Sequence, residues 1–206
     1  MSVEQRLETV YHAASREALS KTYDAWASTY DADMQSIGYV HPAVIVGLVA
    51  RHIPNKDAVI LDAGVGTGTI GQLLHILGFS HLIGIDMSDG MLARAATRQI
   101  YQDLRNQILG EALIYDTASI DCVVSTGTFT TGHAPPSAFD ELVRITRPGG
   151  YLIFTVGTKV WTEQGFDQKL ASLPVAEIEV TNPYHPMPLS ETESGFTTRA
   201  HVYKRL

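Results

Sequence analysis

The residues best placed to do chemistry stand in one short stretch, Val59-Ile-Leu-Asp62-Ala-Gly64-Val-Gly66-Thr-Gly68, where an apolar run ends in an acid and three alternating glycines. Without a Cβ, the backbone at these glycines can turn sharply and pass close to a ligand. Twenty residues beyond Gly66 a second apolar run ends in Asp86. A carboxylate there can accept both ribose hydroxyls of an adenosine bound at the carboxyl end of a parallel sheet. The glycines alone are ambiguous, because Gly66-Thr-Gly68-Thr-Ile-Gly71 also fits the dinucleotide fingerprint G-x-G-x-x-G and keeps an NAD(P)-dependent reductase open as an alternative. Asp62 favours a different ligand: a carboxylate in front of the glycines attracts an ammonium and a sulfonium and repels a pyrophosphate.

A second set of candidates is aromatic and basic. Tyr23, Trp26 and Tyr30 recur in an acidic segment near the N-terminus. An aromatic face beside a sulfonium gains cation–π attraction; the plainer alternative is that these rings only pack a lid helix onto the core. His133 closes the stretch Ser125-Thr-Gly-Thr-Phe-Thr-Thr-Gly-His133, at the sheet edge where an acceptor would sit. Its imidazole can serve there as a general base, or simply bond a backbone carbonyl. His185, in Asn182-Pro-Tyr-His-Pro-Met-Pro188, has a similar claim. The remaining histidines have no partner spacing, and one cysteine among scattered histidines does not make a zinc site, so no metal is expected. The absence of a G-x-S-x-G elbow speaks against an α/β hydrolase.

Positioning these groups takes a parallel α/β sheet, and strand-like and helix-like stretches do alternate along the chain. Strands are predicted at 58–63, 81–86, 107–109, 121–126, 151–156, 175–180 and 198–204. Helices are predicted at 42–52, 67–77, 88–104 with Ser88 as N-cap, 137–146 and 166–172. Arg147-Pro-Gly-Gly150 reads as a turn into the fifth strand. Val3, Leu7, Val10, Ala14 and Ala18, spaced by threes and fours, predict one amphipathic helix over the first twenty residues. Together these describe an α/β fold with a doubly wound, seven-stranded, mostly parallel sheet whose last strand is antiparallel. A single domain, 1–206, is expected, with residues 1–40 as a helical, aromatic lid and 41–206 as the core.

Composition narrows the partners. The chain has 206 residues and a net charge of −7, without the clustered lysines and arginines that neutralise a phosphate backbone, so no nucleic acid is expected. Cys122 is the single cysteine; it lies in an apolar run, which suggests a buried thiol and a reducing, cytoplasmic setting. The N-terminus is charged where a signal peptide would be apolar, and the longest apolar run, 40–50, is broken by His41, Pro42 and Gly47, so no membrane span is expected.

These motifs resemble a known family. LDAGVGTG at 61–68 and GIDMS at 84–88 resemble the first two motifs of class I S-adenosylmethionine-dependent methyltransferases, which share a Rossmann-like fold, and RPGGYLIFTV at 147–156 resembles their turn into the fifth strand. More narrowly, YDAWASTYDADM, GTFTTGH and NPYHPMP are similar to the methyltransferase-like proteins of the Williams-Beuren syndrome chromosomal region type. The resemblance runs from about Thr22 to the end and implies S-adenosylmethionine as cofactor. It implies that Gly64 and its neighbours Val65, Gly66 and Gly68 hold the methionine part through backbone groups, that Asp86 binds ribose, and that Met87 covers adenine with Met91 packed beside it. Asp62, Trp26 and Ser125 are included in the expected cofactor site. Tyr30 resembles a lid tyrosine over the methionine end. The adenine amine would be met by a backbone amide at Ile108 or Leu109, or by Glu111 in a shifted register. The implied reaction is methyl transfer by in-line displacement to a small-molecule acceptor, or to a protein, with His133 and Tyr30 as catalytic candidates. A module that binds the cofactor without catalysis is the other alternative.

Overall fold

Runs of Val, Ile and Leu flanked by glycine turns build the middle of one sheet, and the segments between them cover both of its faces. The computed structural model describes residues 1–187 and 197–206; Pro188, the last residue of the proline-rich motif, lies outside the described residues. In chain order the elements are α1 (Val3–Tyr11), α2 (Arg16–Trp26), α3 (Tyr30–Ser36), α4 (His41–His52), β1 (Ile60–Ala63), α5 (Thr69–Ile76), β2 (Leu82–Asp86), α6 (Asp89–Ala96), β3 (Tyr101–Asn106), β4 (Ile120–Phe129), α7 (Ala138–Ile145), β5 (Thr146–Gly157), α8 (Thr158–Glu163), α9 (Phe166–Ala171), β6 (Val175–Val180) and β7 (Thr198–Arg205).

The seven strands form one sheet in the order β3-β2-β1-β4-β5-β7-β6. β1 to β5 pair in parallel, and β7 runs antiparallel between β5 and β6. Successive side chains of a strand point to opposite faces. Ile60, Cys122, Val124 and Ile153 therefore meet Ile45 and Val49 of α4 and Leu74 of α5, whereas Leu61, Val123 and Phe154 meet Phe139 of α7 and Phe166 of α9. The strand order turns back at β1 and β4, and open α/β sheets bind ligands in the crevice at the carboxyl ends of such strands. A third cluster, Val10, Leu19, Trp26, Met34, Ile37 and Met187, packs the N-terminal helices together. Cys122 is buried, as its apolar run suggests, and burial raises its thiol pKa.

Several expectations need correction. The single N-terminal helix is two, because Ser15 caps a new helix by accepting from the Ala18 amide at 3.2 Å. The helix after Ser88 stops at Ala96 rather than near Leu104, and the chain reverses at Gln99, which has φ 55°. The third strand is then Tyr101–Asn106, not 107–109. It is an edge strand, half-exposed and polar, so it carries no apolar run that periodicity could detect. Arg147 to Gly150 lie within β5, which takes up the turn as a register shift against β4. The short helix α8 was not expected.

Candidate active site

The loop after β1 is shaped by the strand beside it. The amides of Gly64 and Val65 both donate to the Ile85 carbonyl at 2.9 Å, and Gly66, at φ 52°, donates to Oδ2 of Asp86 at 2.9 Å. Gly64 has φ 80°, and a Cβ there would collide with the Thr128 side chain of β4, so this position requires glycine. The other carboxylate oxygen of Asp86, Oδ1, accepts from the Ser88 amide at 2.9 Å. Two amides thus aim the carboxylate, and each oxygen keeps a second lone pair for a ligand. Burial nonetheless pushes the Asp86 pKa up.

One cavity gathers most of the expected residues. Gly64, Gly66, Asp86, Met87, Met91, Leu109, Tyr30 and His133 all line it. Met91 is buried, and Met87, Ile108 and Leu109 complete an apolar slot beside the Asp86 carboxylate. Gln107 lines the same cavity; its carbonyl oxygen accepts from the Ile114 amide at 3.0 Å, while its buried Nε2 has no partner among the described residues. An apolar slot, a doubly held carboxylate and an unpaired amide donor fit an adenosine. Gln107 was missed because it sat in a weakly patterned stretch taken for strand.

His133 is held at both ring nitrogens. Nδ1 lies 2.8 Å from the Thr131 carbonyl oxygen, so Nδ1 carries the proton, and Nε2 is left to accept from the Tyr23 hydroxyl at 2.8 Å. Burial lowers the His133 pKa, which keeps the imidazole neutral, while the Thr131 carbonyl pulls weakly the other way. The Tyr23 and Tyr30 pKa values are raised by burial first and by their neighbours second, so both phenols stay protonated. Tyr23 lines the cavity as well.

Other expected residues lie elsewhere. Asp62 does not line the cavity; it is buried behind the glycine loop, where Oδ2 accepts from the Tyr101 hydroxyl at 2.8 Å. The strand pleat turns it away from the crevice. Ser125 is buried within β4 and donates to the Ala63 carbonyl at 2.6 Å. Gly68, at the start of α5, faces Arg98 and Tyr101. Val65 packs on Gly84 of β2 and borders a neighbouring cavity on the other side of the loop. Trp26 donates its indole N–H to Asp33 at 2.7 Å and lines a second cavity under the lid. Glu111 pairs with Arg16 rather than entering the slot, and His185 is exposed. Among the described residues no group of three metal-ligating side chains converges, and no helix is long and apolar enough to cross a membrane.

The seven-stranded sheet and its flanking helices form the Rossmann-like methyltransferase fold. Residues 61–154 match the family model described as a methyltransferase domain. It is 36% identical over 139 residues to methyltransferase-like protein 27 of Homo sapiens, covering 66% of this chain and 56% of that protein. It is 33% identical over 147 residues to the malonyl-[acyl-carrier protein] O-methyltransferase of Marinomonas sp. (strain MWYL1), covering 68% of this chain and 52% of that one. The chain thus spans little more than half the length of these relatives. The crystal structure of geranyl diphosphate C-methyltransferase from Streptomyces coelicolor A3(2) shares the fold, with a TM-score of 0.63 at 11% identity over 97% of this chain and 87% of that one.

Proposed function

We propose that this chain is an S-adenosylmethionine-dependent methyltransferase acting on a small-molecule acceptor. One observation carries the reading: Asp86, aimed by the Gly66 and Ser88 amides, stands beside the apolar slot of Met87, Met91 and Leu109. When bound, the cofactor supplies an activated methyl group on a sulfonium. Asp86 would hold the ribose hydroxyls, Gln107 and the amides at Ile108 and Leu109 the adenine edge, and the Gly64–Gly66 backbone the methionine part. Tyr30, which lines this cavity and its two neighbours, would cover the reacting end and exclude water. His133 and Tyr23 handle the acceptor's proton. The acceptor's proton would pass to the Tyr23 oxygen and the Tyr23 proton to Nε2 of His133, leaving a lone pair on the acceptor for the methyl group that the cofactor would supply. The buried Cys122 thiol suits a reducing, cytoplasmic setting.

The reading is tested at Asp86. Asp86→Ala leaves ribose hydroxyls without a charged acceptor and should cost about 1.5–3 kcal/mol of affinity for S-adenosylhomocysteine, measured by calorimetry. Affinity equal to wild type would remove Asp86 from the site. The nicotinamide alternative gains nothing from the family match or from the relatives above, which carry methyltransferase names.

A further inference from the structure

Arg98 stands in the turn between α6 and β3, and its guanidinium joins two parts of the molecule that are distant in sequence. Nε donates to the Thr67 carbonyl at 2.6 Å, Nη1 to the Gln72 side chain, and Nη2 to Oδ2 of Asp31 at 2.7 Å. Thr67 and Gln72 belong to the glycine loop and α5, whereas Asp31 is the second residue of α3. Oδ1 of the same Asp31 accepts from the Thr67 and Thr69 hydroxyls. The Arg98 stem reaches this place past Gly68, where a Cβ would lie 3.1 Å from Cδ of Arg98 and 3.0 Å from the Tyr101 ring. The third glycine of the motif thus makes room for Arg98. Thr29 gives α3 no side-chain cap, and Asp31 is where that helix is bonded to the glycine loop.

We infer that Asp31 and Arg98 are positioning residues: their ion pair seats Tyr30 over the reacting end of the cofactor, and the cofactor leaves when the pair parts. The inference rests on the methyltransferase function proposed above, which gives Tyr30 its place as a cover. Tyr30 precedes Asp31 and lines both the cofactor cavity and a neighbouring cavity of about 350 Å³ whose wall holds Asp31, Arg98, Thr67 and Thr69. Gly64, Gly66 and Thr126 also line both, so the two adjoin at the glycine loop. A planar guanidinium donates in several fixed directions at once, so Arg98 sets Asp31 and the Thr67 carbonyl relative to each other. The remaining contacts of the Tyr30 ring are edge contacts with Trp26 and Tyr23, at centroid distances of 4.9 and 6.4 Å. The directional bonds of this part of the lid therefore lie at Asp31. The two partners differ in exposure: the Arg98 side chain is 17% exposed and that of Asp31 40%. Arg98 stays with the loop, and Asp31 regains water when it lets go, which makes the tie reversible.

The test follows release of radiolabelled S-adenosylhomocysteine from the full chain, with adenosine binding measured by calorimetry beside it, since adenosine lacks the amino-acid end that Tyr30 would cover. Asp31→Asn removes the charge at constant shape, and Arg98→Met keeps the stem beside Gly68 and removes the guanidinium. Each should speed release about tenfold and leave adenosine affinity within about twofold of wild type. Tyr30→Ala should speed release about tenfold in the otherwise wild-type chain but by less than about twofold in the Asp31→Asn background, because Asp31 acts through Tyr30. A role confined to folding would weaken adenosine and S-adenosylhomocysteine alike and leave the Tyr30→Ala effect additive. Either of those results, or release within about twofold of wild type in both variants, overturns the inference. A wild-type chain that binds no S-adenosylhomocysteine at millimolar concentration overturns the proposed function itself, and the inference falls with it.

Discussion

Asp62 and Asp86 end neighbouring parallel strands, yet their surroundings give them opposite roles. Asp86 faces the crevice with both oxygens held by amides, whereas Asp62 points behind the loop, with one oxygen on Tyr101 and Oδ1 without a hydrogen-bond partner among the described residues. Burial, opposed by the Tyr101 hydrogen bond and aided by the Asp86 charge, lifts the Asp62 pKa from 3.8 to about 7. The native state therefore binds this proton more tightly than the unfolded chain does. Its contribution to stability is complete below 3.8 and is lost as pH rises through about 7. Asp62→Asn keeps an acceptor for Tyr101 and removes the ionisation, so the variant should gain on the order of 2 kcal/mol relative to wild type between roughly pH 5 and pH 8, measured by denaturant unfolding. A difference that does not move with pH would mean that the carboxylate is ionised throughout. Residue type and spacing were enough to pick out both acids. Which one faces the crevice was not legible, because it depends on the pleat of a four-residue strand whose two faces are equally apolar.

At the scale of elements, α2 ties the N-terminal helices to the loops around the crevice through one helical face. Ser20, Tyr23 and Asp24, three and four residues apart, bond the Met87 carbonyl, His133 and the start of α6 respectively. Of the free amides that open α6, the Met91 amide is taken by its own cap Ser88, and the Gly90 amide is taken by Asp24 at 2.8 Å. Gly90 is needed for this approach, since a Cβ there would lie 2.8 Å from the Asp24 Cα. Asp24→Ala should therefore cost about 1 kcal/mol of stability, and hydrogen exchange should show faster opening of α2 amides than of β4 amides. Equal protection of α2 in both proteins would mean that the apolar cluster alone seats the lid. The aromatic spacing announced a lid helix, but Asp24 read as one acid among several. Its partner lies 64 residues away in Ser88, and nothing local to the sequence marks that pairing.

For the molecule as a whole, the alternation of apolar runs and amphipathic segments was sufficient to place β1, β2, β4 and β5, because buried parallel strands carry continuous Val, Ile and Leu runs, while the antiparallel β6 and β7 were placed by their Val, Ile and Tyr residues. β3 was misplaced, since an edge strand of Tyr-Gln-Asp-Leu-Arg-Asn has one face in solvent and little to distinguish it from a turn. The glycine loop and Asp86 were legible for a related reason: backbone geometry demands glycine, and Asp86 stands at the end of the next strand, where it accepts from the Gly66 and Ser88 amides. Tyr23 and Gln107 acquire their meaning only when the N-terminal helices and the segment after β3 fold over the same crevice. The central claim is that this crevice binds an adenosyl-sulfur ligand, and calorimetric titration with S-adenosylmethionine, S-adenosylhomocysteine and NADH in parallel tests it most directly. The account predicts binding of both sulfur ligands with dissociation constants on the order of micromolar and no heat from NADH; binding of NADH alone would contradict it.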